Sequence, residues 1–269
     1  MQPHARLSAA LLAASALAAC ATTGGEHADA AAGADAAQAN AAPARVDRHA
    51  RERITREDLL TQMAFWANEY QNFPNDLEAA QRFSDALRRG GRFERAAQVA
   101  AEAIARFPDD RTLLTTFGYA QIAAGNPQDA LRPLATVAVA EPQNWRVRSA
   151  LGAALDQVGR YTEARRAYQE ALAIEPNNAA VLTNMGVSHL MAGEASEAEA
   201  ILRQATALPN APPEAGQNLA VALALQGRFD EAEQIERSAL PAPQAAENMR
   251  YLRGLLTDTR RWGDLERPG

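Results

Sequence analysis

A glycine that recurs every 34 residues constrains this chain more than any other feature. It stands at Gly91, Gly125, Gly159, Gly193 and Gly227. Five residues after each glycine there is an alanine: Ala96, Ala130, Ala164, Ala198 and Ala232. Pro108, Pro142 and Pro176 keep the same spacing, and Asn210 takes the next place. Such a period indicates repeated supersecondary units whose neighbours bury one another's faces.

Each unit is expected to contain two closely packed antiparallel helices. A large residue precedes a small one at a fixed place in every unit: Phe83-Ser84, Phe117-Gly118, Leu151-Gly152, Met185-Gly186 and Leu219-Ala220. The large residue fills the space between the helices, and the small one lets a backbone approach. The repeated glycine suits a left-handed residue that ends the first helix, and proline stops the second helix. Five units run from about Leu77 to Ala246, and the last is shortened.

These residues resemble the tetratricopeptide repeat, a helix-turn-helix unit. The stretch Trp145 to Asn178 matches it best, through Leu151, Gly152, Gly159, Ala164, Tyr168, Ala171 and Glu175-Pro176-Asn177-Asn178. The resemblance implies an all-α, right-handed superhelical solenoid of about five repeats with a concave groove. A capping pattern at Thr55 to Asp58 and large residues up to Pro74 indicate a further half-repeat before the array. Residues 243–258 are expected to form a closing helix, for about twelve helices in total.

The composition argues against most enzyme classes. All 27 basic residues are arginine, so a phosphate-binding loop with its lysine and a Schiff-base lysine are both absent. Three of the four histidines precede residue 50, which leaves His189 alone among the repeats, and the single cysteine is Cys20. Neither a zinc site nor a cysteine-histidine pair can be assembled from these residues. We predict a non-enzymatic protein with no cofactor or metal, and the net charge of −6 speaks against nucleic-acid binding.

The N-terminus has the pattern of an export signal. A basic start is followed by an apolar run that ends at Cys20 and is too short to span a bilayer. The sequence Leu17-Ala18-Ala19-Cys20 resembles the lipobox of bacterial lipoproteins, which implies lipidation of Cys20 and anchoring by acyl chains. Ala21, where an aspartate would favour the inner membrane, implies the periplasmic face of the outer membrane. The alternative is an ordinary secretory signal with an incidental cysteine.

These patterns predict four segments. Residues 1–19 form a lipoprotein signal peptide, and residues 20–52 form the lipidated N-terminus with a disordered tether rich in Ala, Gly and Asp. The tether has too few large apolar residues to offset the entropy of ordering it. Residues 53–260 form the solenoid, and residues 261–269 form a tail.

The first helix of each unit is expected to line the groove. Counted from the first residue of a unit, positions 4, 7, 8 and 11 pack inward, which turns positions 2, 5, 9 and 12 toward the concave side. These positions are mostly charged or polar in the first three units, ending at Asp156, and apolar in the last two, which suits a peptide or an amphipathic helix. The predicted groove residues are Tyr119, Ile122, Thr183, Asn184, Val187, Leu190, Met191, Gln217, Asn218, Val221, Leu225 and Asn248.

Asparagines give this groove a means of holding a peptide backbone. Asn184 and Asn218 occupy position 6 of successive units, and Asn248 reaches that position if the fifth unit is four residues short. A carboxamide both donates and accepts, so a ladder of three could bind an extended chain. The alternative is a structural role for the asparagines, with the apolar side chains packed between repeats. Self-association through the apolar end also stays open.

The C-terminal segment is similar to one particular family. Between Gln217 and Leu256 the chain has the runs Gln-Asn-Leu-Ala, Leu-Gln-Gly-Arg-Phe-Asp-Glu-Ala-Glu and Glu-Asn-Met-Arg-Tyr-Leu-Arg. Together with the lipobox, these runs resemble the TadD-type lipoproteins of tight-adherence (Flp) pilus assembly. The resemblance implies a pilotin-like accessory that binds a secretin or another pilus component. The alternative is a periplasmic scaffold for outer-membrane or cell-wall biogenesis proteins.

Overall fold

The computed structural model describes residues 45–239 and 241–257, and every regular element in these ranges is an α-helix. The signal peptide, Cys20, most of the expected tether and the tail lie outside the described residues. The thirteen helices of the described ranges are α1 (Arg48–Ile54), α2 (Leu59–Asn72), α3 (Leu77–Arg89), α4 (Phe93–Ile104), α5 (Arg111–Ala123), α6 (Pro127–Ala140), α7 (Trp145–Gln157), α8 (Tyr161–Ile174), α9 (Ala179–Met191), α10 (Ala195–Thr206), α11 (Pro213–Leu225), α12 (Phe229–Ala239) and α13 (Ala242–Thr257). The predicted all-α solenoid is confirmed.

Helices α3 to α12 form five successive pairs. In each pair the second helix packs against the first helix of its own repeat and against the first helix of the next. The first helices of neighbouring repeats, α3, α5, α7, α9 and α11, also contact one another, whereas consecutive second helices do not pack together. The first helices therefore form the closer, inner row of the array. Helix α13 contacts α11 and α12, and so takes the place of a sixth first helix.

Local sequence signals set the ends of these helices. Asp76, Asp110, Asn144 and Asn178 cap four of the first helices, each accepting a hydrogen bond from a backbone N–H of the first turn. All five repeated glycines have φ between 70° and 81°, the left-handed conformation predicted for them. After the glycine the chain closes each first helix with a backbone bond such as Arg160 N–H to the carbonyl of Leu155, at 2.9 Å.

The two helices of a repeat approach through residues with little or no side chain. All five repeated alanines, of which Ala164 is the middle one, are fully buried. A Cβ added to Gly152 would lie 2.6 Å from Cε1 of Tyr168, and Gly118 and Gly186 are covered in the same way by Leu134 and Leu202. The large residues of the second helices therefore rest directly on the backbone of the first helices.

The ordered array begins earlier than the boundary predicted at residue 53. Helix α1 starts at Arg48, with Asp47 as its cap, inside the segment expected to be a disordered tether. The reason is Arg51, whose guanidinium bonds to Glu69, to Asp76 at 2.8 Å and to Glu78 at 3.0 Å. Its side chain is 11% exposed and also lies over the ring of the buried Trp66. Arg51 thus anchors a helix that has no fully buried residue and whose apolar contact with the core is the half-buried Ile54.

We expect Gly152→Ala to lower the free energy of unfolding by about 1–3 kcal/mol, because the new methyl would displace the Tyr168 ring from a packed core. The measurement is urea denaturation followed by circular dichroism. Gly216→Ala, also in a first helix, is the control: its Cβ would meet only Ile235 at 3.9 Å. An unchanged midpoint in the Gly152 variant would contradict this account of the helix contact.

Arg51→Ala is expected to destabilise the first repeat by about 3 kcal/mol, because it leaves the carboxylates of Glu69 and Asp76 buried without their cation. Hydrogen exchange of helices α1 and α2 checks this locally. Arg82→Ala is the control, because it removes the same charge from an exposed ion pair in which Nε of Arg82 lies 3.9 Å from Oε1 of Glu78. It should change the protection of α1 and α2 little. Equal protection of α1 in both variants would refute the anchoring role of Arg51.

Candidate functional site

A cleft at the C-terminal end of the inner row brings several of the predicted groove residues together. It is about 310 Å³ in volume and lies between α11, α12 and α13. We call it the C-terminal cleft, and its lining residues are Gln217, Asn218, Val221, Glu236, Asn248, Tyr251 and Leu252. Four of these seven were predicted from the sequence. The cleft combines three carboxamides, one carboxylate and an apolar wall, so it can form hydrogen bonds with a ligand and also receive an apolar side chain.

The asparagines fall into register but do not form one continuous ladder. Ala245 and Met249 of α13 are buried as Ala215 and Leu219 of α11 are, which places Asn248 in the register of Asn218. The carboxamide of Asn248 donates to Oε2 of Glu236 at 2.9 Å. Asn184 lies on α9, the first helix of the preceding repeat, and does not line the cleft. Its side chain is exposed, and its Nδ2 lies 3.5 Å from Oγ of Ser149.

The apolar residues predicted beside the asparagines form a partly exposed strip on the same helices. Val187 and Val221 occupy position 9 of α9 and α11 and are half-buried. Met191 and Leu225, one turn further along each helix, are 46% and 45% exposed. The strip extends the apolar wall of the C-terminal cleft along the inner row toward the middle of the array.

Three predicted groove residues belong instead to the packing between helices. Thr183 is only 5% exposed, and its hydroxyl donates to the carbonyl of Ala179 at 2.8 Å. Ile122 and Leu190, both at position 12, are half-buried and pack against core clusters. Neighbouring first helices approach so closely that they cover the side chain at position 12. In α9 and α11 the exposed apolar side chain is therefore the one at position 13.

Tyr119 lies in a second, more polar cleft of about 260 Å³ between α3, α5 and the start of α7. Its ring lies under the guanidinium of Arg88, 5.7 Å from the centroid, and Arg88 also pairs with Asp85 at 2.6 Å. Burial raises the pKa of the Tyr119 phenol, while the charges of Arg88 and Arg146 oppose that rise. Arg111 of the same lining pairs with Glu141 at 3.5 Å, so both arginines that line this cleft have carboxylate partners.

Asp156, predicted to face the groove, is buried and links three helices. Its Oδ2 accepts from the Tyr168 hydroxyl at 2.9 Å, and its Oδ1 accepts from the Ser188 hydroxyl at 2.6 Å. Burial raises the pKa of Asp156 above its ordinary 3.8, and the two hydrogen bonds oppose part of that rise. This carboxylate therefore serves the stacking of the third repeat on the fourth rather than a ligand.

Neither a metal site nor a membrane span emerges from the described residues. Within 45–239 and 241–257, no three histidine, cysteine, aspartate or glutamate side chains come together as metal ligands. None of the helices in these ranges combines the length and the apolarity that crossing a bilayer requires. His189 is half-buried, and its Nδ1 lies 2.6 Å from Oε2 of Glu194.

Three residues of the C-terminal cleft were missed by the sequence analysis: Glu236, Tyr251 and Leu252. Tyr251 could have been predicted from the sequence, because the spacing between Asn218 and Asn248 is also the spacing between Val221 and Tyr251. Glu236 lies on a second helix, whereas the predicted groove positions all belong to first helices. Leu252 packs against the core beside the cleft and carries no periodic signal.

Family models described as tetratricopeptide repeats match residues 82–144, 121–182, 157–210 and 215–241, which is more than half of the chain. The chain is a tetratricopeptide-repeat protein. Repeats of this family typically form non-catalytic scaffolds for protein-protein interaction. A search of the curated proteins returned no match to this tetratricopeptide-repeat protein.

Several solved structures share its fold. A MamA structure from MSR-1 is 28% identical over 55% of this chain and 86% of its own, with a TM-score of 0.51. A MamA structure from AMB-1 is 25% identical over 58% and 92%, also with a TM-score of 0.51. A thermophilic tetratricopeptide-repeat protein of Thermus thermophilus is 24% identical over 66% and 97%, with a TM-score of 0.54. This last likeness concerns the fold alone.

Asp156→Asn is expected to change how stability depends on pH. Since the native pKa of Asp156 is raised, the folded chain takes up a proton before the unfolded chain does, so this group adds stability as pH falls toward 3.8. Wild-type protein should therefore gain stability over the variant between about pH 7 and about pH 4, as measured by urea unfolding. A pH dependence of stability in the Asp156 variant that is parallel to that of wild type would contradict the assignment.

Proposed function

We propose that this tetratricopeptide-repeat protein is a non-enzymatic adaptor that binds a segment of a partner protein along its first helices. The observation that carries the proposal is the C-terminal cleft, where Asn218 and Asn248 flank an apolar wall. Carboxamides can hold the backbone of a bound segment, and the exposed strip of Met191 and Leu225 can receive its apolar side chains.

We further propose that the partner is a secretin or another component of a tight-adherence pilus, and that the adaptor acts like a pilotin. The support is the resemblance of the segment from Gln217 to Leu256 to TadD-type lipoproteins. This segment supplies most of α11, all of α12 and most of α13, the three helices around the C-terminal cleft. The part of the chain that resembles a specific family is thus also the part that offers a binding site.

Anchoring belongs to the same proposal. Lipidation of Cys20 would hold the adaptor at the periplasmic face of the outer membrane, where a secretin assembles. The support is the lipobox-like sequence that ends at Cys20, the single cysteine of the chain. Acyl chains at Cys20 would give firm attachment at one point.

The proposal is tested in a deletion strain of the source bacterium. Loss of the protein should lower secretin multimers and surface pili, and wild-type protein should restore both, whereas Cys20→Ser should not. Val221→Asp places a charge on the apolar wall of the C-terminal cleft and should fail to restore them. Val139→Asp is the matched control, because Val139 is 83% exposed on the second helix α6.

Photocrosslinking from Leu225 identifies the partner directly. A secretin or another pilus component should be captured from Leu225 and not from Val139. Capture of a cell-wall or outer-membrane biogenesis protein in its place would transfer the adaptor role to that system. Unchanged secretin and pilus levels in the deletion strain, or no captured protein, would overturn the proposal and leave the apolar strip as packing surface.

A further inference from the structure

The fifth repeat breaks the repeat pattern at one core position. The residues at position 24 of the first four repeats are Ala100, Leu134, Tyr168 and Leu202, all at most 1% exposed. In the fifth repeat the same position is Glu236, and it is only 4% exposed. A carboxylate thus stands where every earlier repeat places an apolar or aromatic core residue. Burying a charge in this way is unfavourable unless it is paired and hydrogen-bonded.

Glu236 differs from the other buried acids of the described chain because it has neither a cation nor a second hydrogen-bond donor. Glu69 and Asp76 share the guanidinium of Arg51, and Asp156 accepts from two hydroxyls. Glu236 accepts one hydrogen bond, from the Asn248 carboxamide at 2.9 Å, and among the described residues no arginine lies within ion-pair distance. Its charge is therefore uncompensated within this part of the protein.

The side chain of Glu236 lines the C-terminal cleft, so a ligand can supply what the fold does not. Around it stand the carboxamides of Asn218 and Asn248, the half-buried Val221 and the ring of Tyr251, which is 66% exposed. Of the three arginines on these helices, Arg237 pairs with Glu233 and Arg253 lies over the ring of Phe229. The third, Arg250, is exposed and does not line the cleft. The cleft therefore presents a negative charge beside apolar and aromatic surface.

We infer that the C-terminal cleft recognises an arginine or lysine side chain flanked by apolar residues in the partner segment. This inference rests on the proposed adaptor function and specifies the chemistry of its partner. The cation pairs with Glu236, its neighbours cover Val221 and Leu252, and the Asn218 carboxamide is placed to bond to the partner's backbone. Glu236 is only 4% exposed, and a charge pair at a desolvated site discriminates strongly against an uncharged analogue.

The test compares two tripeptides on the purified full chain. N-acetyl-Leu-Arg-Leu-amide carries the charge, and N-acetyl-Leu-citrulline-Leu-amide has the same shape without it. Binding is followed by NMR through the side-chain carboxamide signals of Asn218 and Asn248. The arginine peptide should bind about tenfold more tightly than the citrulline peptide, because citrulline keeps N–H donors but lacks the positive charge that pairs with Glu236.

Variants of Glu236 should abolish this preference without harming the fold. Glu236→Gln keeps the size and an acceptor for Asn248, and Glu236→Leu restores the type of residue that the earlier repeats use. Both variants should melt at or above the wild-type temperature, because removing a buried uncompensated charge costs the fold little. Glu197→Gln, an equal change of charge on the exposed face of α10, should keep the preference for arginine.

The outcomes separate this inference from the proposed function. Equal binding of both peptides, an arginine preference that survives in Glu236→Gln, or no response of the carboxamide signals would each overturn the inference. Capture of a pilus component from Leu225 does not depend on charge. If that capture succeeds while the peptides show no preference, the adaptor function stands and only the charge recognition fails.

Discussion

The structure depends on the contact at which the large residue of a second helix rests on a first helix. Tyr168 lies on Gly152 and Leu202 on Gly186 so closely that a Cβ could not fit between them. This approach fixes the distance between the helices of a repeat, and it recurs along the chain. Because the first helices also touch one another, the array presents them as one inner row. The binding surface is thus a consequence of the packing, and the side chains that are not needed for packing define its chemistry.

The sequence pattern predicted the repeated elements correctly. It did not predict the roles of residues that are set by contacts with residues distant in the sequence. The glycines, the buried alanines and the capping residues follow from a period that is plain in the sequence. Thr183 and Leu190 were assigned to the groove because a single helix cannot show which of its faces the next helix covers. Arg51 lies outside the period altogether, and its role depends on carboxylates that come at least 18 residues later in the chain. Local patterns therefore predicted the array better than its surface or its N-terminal boundary.

Two buried carboxylates show how a repeat protein can use polar residues in different ways. Asp156 is satisfied by Tyr168 and Ser188, which belong to its own repeat and to the next, so it acts within the stack. Glu236 occupies a position that is apolar elsewhere, and it has one neutral partner at the edge of a cleft. The first arrangement is complete without a ligand, and the second is not. Burial alone does not distinguish the two, whereas a count of partners does.

This contrast suggests where specificity arises in an array of near-identical units. Residues that follow the period are already explained by stacking, so a departure from the period at a buried position requires another cause. In this chain the departures concentrate at the C-terminal end: the fifth repeat is shortened, α13 follows in a shifted register, and Glu236 enters the core. The shortened repeat brings Asn248 against Glu236, so the change of length and the change of residue create one cleft together.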